Sequence, residues 1–269
     1  MQRGPVLACQ VPAQILEWPA MEPQAPSDPP QRPTDWTAWD LAIETSGRIG
    51  SVALGRGPSV LEARTFSARV QHAVELLPSI DALCRAHRVP ARSIAEVYVS
   101  GGPGSFTGLR IGISFARGMA LAAGSRLVRI PTLEVVAQNA LDVPEPPSSV
   151  AVVLDAKRSR VFAAAFSLQD GRYVAGTTPA ERDPDEFFAT LPAPCAALGE
   201  GVAYHREAVE RANLNILPPE LNRARAETVY RLGYDQARAG RCDAPSNLIP
   251  LYIRRPEAEE VWERRHGAG

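Results

Sequence analysis

The chain has 269 residues, 45% hydrophobic and 22% charged, with a formal net charge of -1. That length suits one large domain or two small ones, and the near-zero charge leaves no global basic field to gather nucleic acid. No run approaches the roughly 20 apolar residues of a membrane span, so RNA contact must be local or brought by a partner, and a membrane role is excluded.

In chain order, residues 1–36 come first as a Pro-rich extension, with Pro5, Pro12, Pro19, Pro23, Pro26, Pro29, Pro30 and Pro33. Such spacing supports neither a helix nor an interior strand and reads as disordered. Val6-Leu7-Ala8-Cys9 is only faintly like a lipoprotein box, because the apolar stretch before Cys9 is too short for a signal peptide. Cys9, Cys84, Cys195 and Cys242 make no CxxC pair and no metal spacing, and read as reduced thiols of a cytoplasmic protein.

Strand-like alternation follows over Trp39–Thr45, Ile49–Leu54 and Val60–Phe66, a three-stranded meander. Val70–Arg88 then has a helical period interrupted by Pro78. A strand over 94–100 leads into Gly101-Gly102-Pro103-Gly104-Ser105-Phe106-Thr107-Gly108. The helix after it, 107–124, is capped by Ser105 or Thr107 and is apolar nearly all round. A strand over 126–130, a helix over 132–141 and a linker at Pro144–Pro147 complete this half. The pattern then partly repeats, with strands at 150–154, 160–167 and from Tyr173, a short helix around Phe187, a strand at 195–198 closed by Gly199-Glu200-Gly201, and helices near 205–212 and 224–239. The tail, 250–265, ends in a charged helix. This layout predicts an α/β fold of the duplicated actin-like ATPase (RNase H-like) class, with subdomains at 37–143 and 148–269, the second reduced.

Two readings compete at the glycine segment. A strand, a glycine turn and a helix start can present backbone N–H groups to an anion. Equally, glycines allow positive φ and close backbone approach. Every fourth helix residue from Gly108 (Gly112, Ala116, Ala120, Gly124) is small, which predicts a ridge that a facing helix can approach closely.

The blocks Ala42-Ile43-Glu44-Thr45-Ser46, Ser51-Val52-Ala53-Leu54, Gln71-His72-Ala73-Val74-Glu75-Leu76-Leu77-Pro78-Ser79-Ile80 and Gly101–Gly112 together closely resemble the bacterial TsaB family. Leu154-Asp155-Ala156-Lys157-Arg158 and Pro250–Arg255 are similar to its second half, so the resemblance covers about 39–262. It implies a non-catalytic relative of TsaD. As a scaffold it would serve a TsaD-like catalytic subunit and a TsaE-like ATPase in moving threonylcarbamoyl from threonylcarbamoyl-adenylate to adenosine 37 of tRNA, giving t6A. It further implies a homodimer when alone, through the same helical face, with tRNA reached indirectly through the complex. No cofactor is required by this chain; ATP or ADP belongs to the complex.

The residues fit a non-catalytic chain. A metal-binding pair of histidines one helical turn apart is missing, since Leu76 stands four residues after His72. Thr45 and Ser46, with Gly101 and Gly102, mark degenerate phosphate loops. The candidate partner face comprises Leu76, Ile80, Gly108, Arg110, Gly112, Ile113, Ala116 and Met119, with Leu77 and Leu83 on the same helix as the first two. Replacing Ile113 with Asp is expected to abolish partner binding while leaving a folded monomer. Two other readings stay open: an active kinase or metallopeptidase of the same fold, and a binding module for another protein such as an acetyltransferase.

Overall fold

The computed structural model describes residues 38–66 and 72–251. The Pro-rich extension and the expected tail helix lie outside these residues. The first sheet contains β1 (Trp39–Glu44), β2 (Gly50–Arg56), β3 (Ser59–Phe66), β4 (Ile94–Ser100) and β5 (Arg126–Ile130), in the order β3-β2-β1-β4-β5. β1, β2 and β3 pair antiparallel, while β4 joins β1 and β5 joins β4 in parallel. The parallel connections run through α1 (His72–Ala86) and α2 (Phe106–Ala123), and α3 (Thr132–Gln138) follows β5.

The second sheet repeats the scheme on a smaller scale. Its strands are β6 (Ser149–Asp155), β7 (Val161–Gln169), β8 (Arg172–Ala175), β9 (Ala180–Arg182), β10 (Ala196–Leu198) and β11 (Asn215–Ile216), ordered β11-β10-β6-β7-β8 with β9 beside β7. Again a meander is followed by parallel strands, β10 on β6 and β11 on β10. The helices of this half are α4 (Pro184–Ala189), α5 (Gly201–Tyr204), α6 (Arg206–Arg211) and α7 (Ala226–Arg238). The helix expected over 205–212 thus occurs as α6. β9 and β11, of three and two residues, were not anticipated. The fold is the duplicated actin-like α/β fold.

Side-chain alternation explains the layering. Leu41, Ile43, Val97 and Val99 point to one face of the first sheet, where α1 and α2 add Leu76, Ile80, Leu83, Ile113 and Ala116. Ala42, Ala53 and Tyr98 point to the other, into a core shared with α3, α7 and the second sheet's Val150, Val152, Ala164 and Phe166. A strand covered on both faces is apolar along its middle, as β1 is over Leu41–Ile43, and its two acids, Asp40 and Glu44, are buried near its ends. Tyr98 meets Tyr230 of α7 edge to face, centroids 5.4 Å apart.

Asn139, fully buried after α3, ties this shared layer together. Its Nδ2 donates to the carbonyls of Leu221 (3.0 Å) and Arg223 (2.7 Å). Its Oδ1 accepts from Arg225 Nη2 (2.9 Å) and Thr228 Oγ1 (3.0 Å).

Candidate functional site

The parallel strands β1 and β4 deliver two turns to the same end of the first sheet. The β1–β2 turn is built on Glu44, a fully buried acid whose Oε1 accepts from both the N–H and the Oγ of Ser46, each at 2.5 Å. Burial pushes the Glu44 carboxyl above the usual carboxylate range, opposed by hydrogen bonds from Ser46, Ser100 and Gly47. The glycine turn closes directly onto this hairpin. Ser105 N–H donates to the Ser46 carbonyl at 2.7 Å, and a Cβ on Gly104 would lie 2.5 Å from that oxygen.

The glycine turn spends its amides inside the chain. Gly101 N–H donates to Ile130 O (2.8 Å), Gly102 N–H to Thr132 Oγ1 (3.1 Å), and Gly108 N–H to the helix-capping Ser105 Oγ (3.2 Å). Arg129 packs its stem over Gly101, and Leu251 N–H donates to Gly101 O at 2.7 Å. Gly102 has φ +103°, and its missing Cβ leaves room for Leu251. A phosphate would have to displace these bonds, so Gly101 and Gly102 do not fit a nucleotide cradle. Close backbone approach, the second reading of the glycines, describes what they do here.

Thr45 and Ser46 are buried as well. A Cβ on Gly112 would lie 2.5 Å from Thr45 Oγ1, so the glycine brings α2 down onto β1. From the other half, Glu200 closes over the hairpin, its Oε1 3.2 Å from where a Cβ of Gly47 would stand. Burial raises Glu200 too, with Arg48 pulling it back. Sequence reasoning saw the Gly199-Glu200-Gly201 turn but had no signal for where it would land.

The candidate partner face divides in two. Leu76, Ile80, Gly108, Gly112, Ile113 and Ala116 face this chain's own sheet; Ile113 is 3% exposed and Leu76 2%. The small ridge of Gly108, Gly112 and Ala116 therefore seats α2 against its own strands rather than against another helix. The expectation for Ile113→Asp is corrected accordingly: a charge buried there costs several kcal/mol and unfolds the chain. Arg110 is exposed and stacks on Phe106, its Cζ 3.8 Å from the ring centroid. Met119 is half-buried. It lines an apolar groove of about 410 Å³ with Leu77, Ile80, Cys84, Val89 and Phe115, between α1 and α2. Leu77, at 60% exposure, is its most accessible apolar side chain. Among the described residues, no three His, Cys, Asp or Glu side chains gather as metal ligands. No described helix is long and apolar enough to cross a membrane.

The family model described as "TsaD: tRNA N6-adenosine threonylcarbamoyltransferase" matches residues 66–262. The tRNA threonylcarbamoyladenosine biosynthesis protein TsaB of Bacillus subtilis is 25% identical over 236 residues, covering 82% of this chain and 96% of that protein. The chain belongs to this family, on its TsaB branch. TsaB of Escherichia coli is 26% identical over 231 residues, 84% of this chain and 98% of its own. YeaZ from Pseudomonas aeruginosa shares the fold with a TM-score of 0.69 and 25% identity, over 80% of this chain and 99% of YeaZ. Of the blocks that carry the resemblance, 42–46, 72–80 and 101–112 fall on the two closed turns and the two helices that form the groove.

Proposed function

We propose that this chain is the non-catalytic, partner-binding subunit of the machinery that makes threonylcarbamoyladenosine in tRNA. The TsaB relatives carry that pathway in their names, and the matching family model is that of the transferase. The observation that carries the scaffold part is the apolar groove between α1 and α2, which a TsaD-like catalytic subunit would cover. The hydrogen-bonded glycine turn and the sealed hairpin support a role without substrate turnover in this chain. A TsaE-like ATPase would join the pair, the same helical face would serve a homodimer when the chain is alone, and the assembly would work in the cytoplasm on tRNA.

Two measurements test this. Mass spectrometry of total tRNA after depletion of the protein should show loss of t6A, restored by residues 37–269; unchanged t6A ends the reading. Leu77→Asp should leave the urea midpoint within about 0.5 kcal/mol of wild type, since the site is exposed. The same variant should lose co-elution with the TsaD-like subunit in gel filtration. Unimpaired co-elution would move the interface off this groove.

A further inference from the structure

The last described residues return to the first sheet. Asp243 N–H donates to the Leu127 carbonyl at 2.8 Å, and its Oδ2 accepts the Arg129 N–H at 2.8 Å, which ties this segment to the edge strand β5. Leu248, fully buried, joins Ile113, Ala116 and Leu127 in the core beneath α1 and α2. Leu251 donates to Gly101 O and lies beside Leu109: a Cβ on Gly102 would stand 3.0 Å from both Leu109 Cδ1 and Leu251 O. The chain therefore enters residues 252–269 next to the first turns of α2, on the face of the sheet that carries the groove. The groove is apolar along its floor and cationic at the end of α1. Asp81 is taken by Arg85 at 2.8 Å, and Glu62 by Arg64 and His87. Arg88, which lines the groove, and Arg92, next to the lining Ala91, are exposed and have no ion pair among the described residues.

We propose that the chain's own segment 257–265 docks in this groove and gates it, so that a partner must displace it. The segment has the matching chemistry. Val261 and Trp262 supply an apolar anchor for Phe115, Met119 and Leu77. Around them Glu257, Glu259, Glu260 and Glu263 outnumber Arg264 and Arg265, four charges against two. The groove's rim has the opposite balance, Arg85, Arg88 and Arg92 against Asp81. Burying an aromatic side chain in an apolar groove while charges of opposite sign meet at its rim is the usual anatomy of a specific contact. The reach is sufficient. Met119 stands thirteen residues along α2 from Phe106, about 20 Å at helical rise. The ten steps from Leu251 to Val261 span up to about 33 Å. A tethered segment needs little intrinsic affinity, because it competes at an effective concentration on the order of millimolar. The gating part rests on the proposed function, which puts the TsaD-like subunit on the same groove; the docking part does not.

The test uses the full chain and a fluorescein-labelled synthetic peptide of residues 252–269, followed by fluorescence anisotropy. Trp262→Asp unseats the chain's own tail, so this variant should bind the added peptide. The wild-type chain should bind it at least tenfold more weakly, because its tethered copy competes. Adding Arg88→Glu and Arg92→Glu to the Trp262→Asp chain should weaken the peptide at least tenfold and remove most of its salt dependence. Both positions are exposed, and circular dichroism should show an unchanged fold. Equal binding to the wild-type and Trp262→Asp chains, or no binding to the variant, overturns the docking. Competition that fades on diluting the wild-type chain overturns the intrachain form and puts the tail on a second copy. Towards the TsaD-like subunit, Trp262→Asp should bind at least fivefold more tightly than wild type, since the open groove is no longer a minor state. Affinity equal to or below wild type overturns the gating. If neither chain binds that subunit, the scaffold reading fails, and the peptide titration still decides the docking.

Discussion

The β1–β2 and β6–β7 turns occupy matching places in the two sheets and have opposite characters. In the first, a buried glutamate takes both donors of Ser46, the glycine turn bonds to the Ser46 carbonyl, and Glu200 covers the top. In the second, Asp155 holds only the Lys157 N–H, and the next residues project into solvent in left-handed conformations. The strand order around the two turns is the same. Closure is therefore decided by a few side chains and by what the other half lays over the turn, not by the fold.

The strongest way to break the closed turn is Gly112→Val. Its branched side chain would overlap Thr45 and lift α2 from the sheet. We expect a loss of about 3 kcal/mol or more by urea unfolding, the size typical of overpacking a well-filled core. Ile113→Asp, on the same inward face, should be as severe and yield no soluble folded chain, as read by circular dichroism.

Glu44→Gln sharpens the contrast through pH. Because burial raises the folded-state pKa of Glu44 above the unfolded one, the folded form holds its proton more tightly. Wild-type stability contributed by that proton is present at low pH and falls as pH rises from about 4.5 through the raised value. The Gln variant lacks this loss. Urea midpoints should favour it progressively over wild type across that window, by up to about 1.4 kcal/mol per pH unit. Parallel curves for the two proteins would show that Glu44 is not held neutral.

The smallest effect is expected at the open turn. Ser159→Gly relieves a left-handed residue at a place where nothing packs, and should raise stability by about 0.5–1 kcal/mol in thermal unfolding. A decrease would mean that the turn is held by contacts of its own.

Much of this was legible in the residues. The alternation in Trp39–Thr45 and the run 94–100 mark β1 and β4, and Ser105 caps α2 as its position suggests. What could not be read was direction. A helix apolar nearly all round does not say which stripe meets its own sheet, so the Gly108–Gly112–Ala116 ridge, spaced for a partner helix, turned inward instead. Leu76 turned inward in the same way, while Ile80, though buried, borders the groove with Leu77, which faces out. Glu44 carries no local sign of burial, because its donors come from two turns more than 50 residues apart. Likewise Lys157, Arg158 and Ser159 give no hint of positive φ, which glycine or asparagine would have signalled. β9 and β11 exist only because a neighbouring strand pairs with them.

The buried amide of Asn139 has a consequence for motion. It holds the carbonyls of 221 and 223 on one side and the side chains of Arg225 and Thr228 on the other. Any swing that parts α3 from the chain leading into α7 must strand a buried amide without partners, at a cost of a few kcal/mol before any apolar surface is exposed. The junction between the two sheets is thus a seam and not a hinge. The amide protons of 229–232 should exchange with solvent only when the whole domain unfolds, while those of 158 and 159 exchange far sooner.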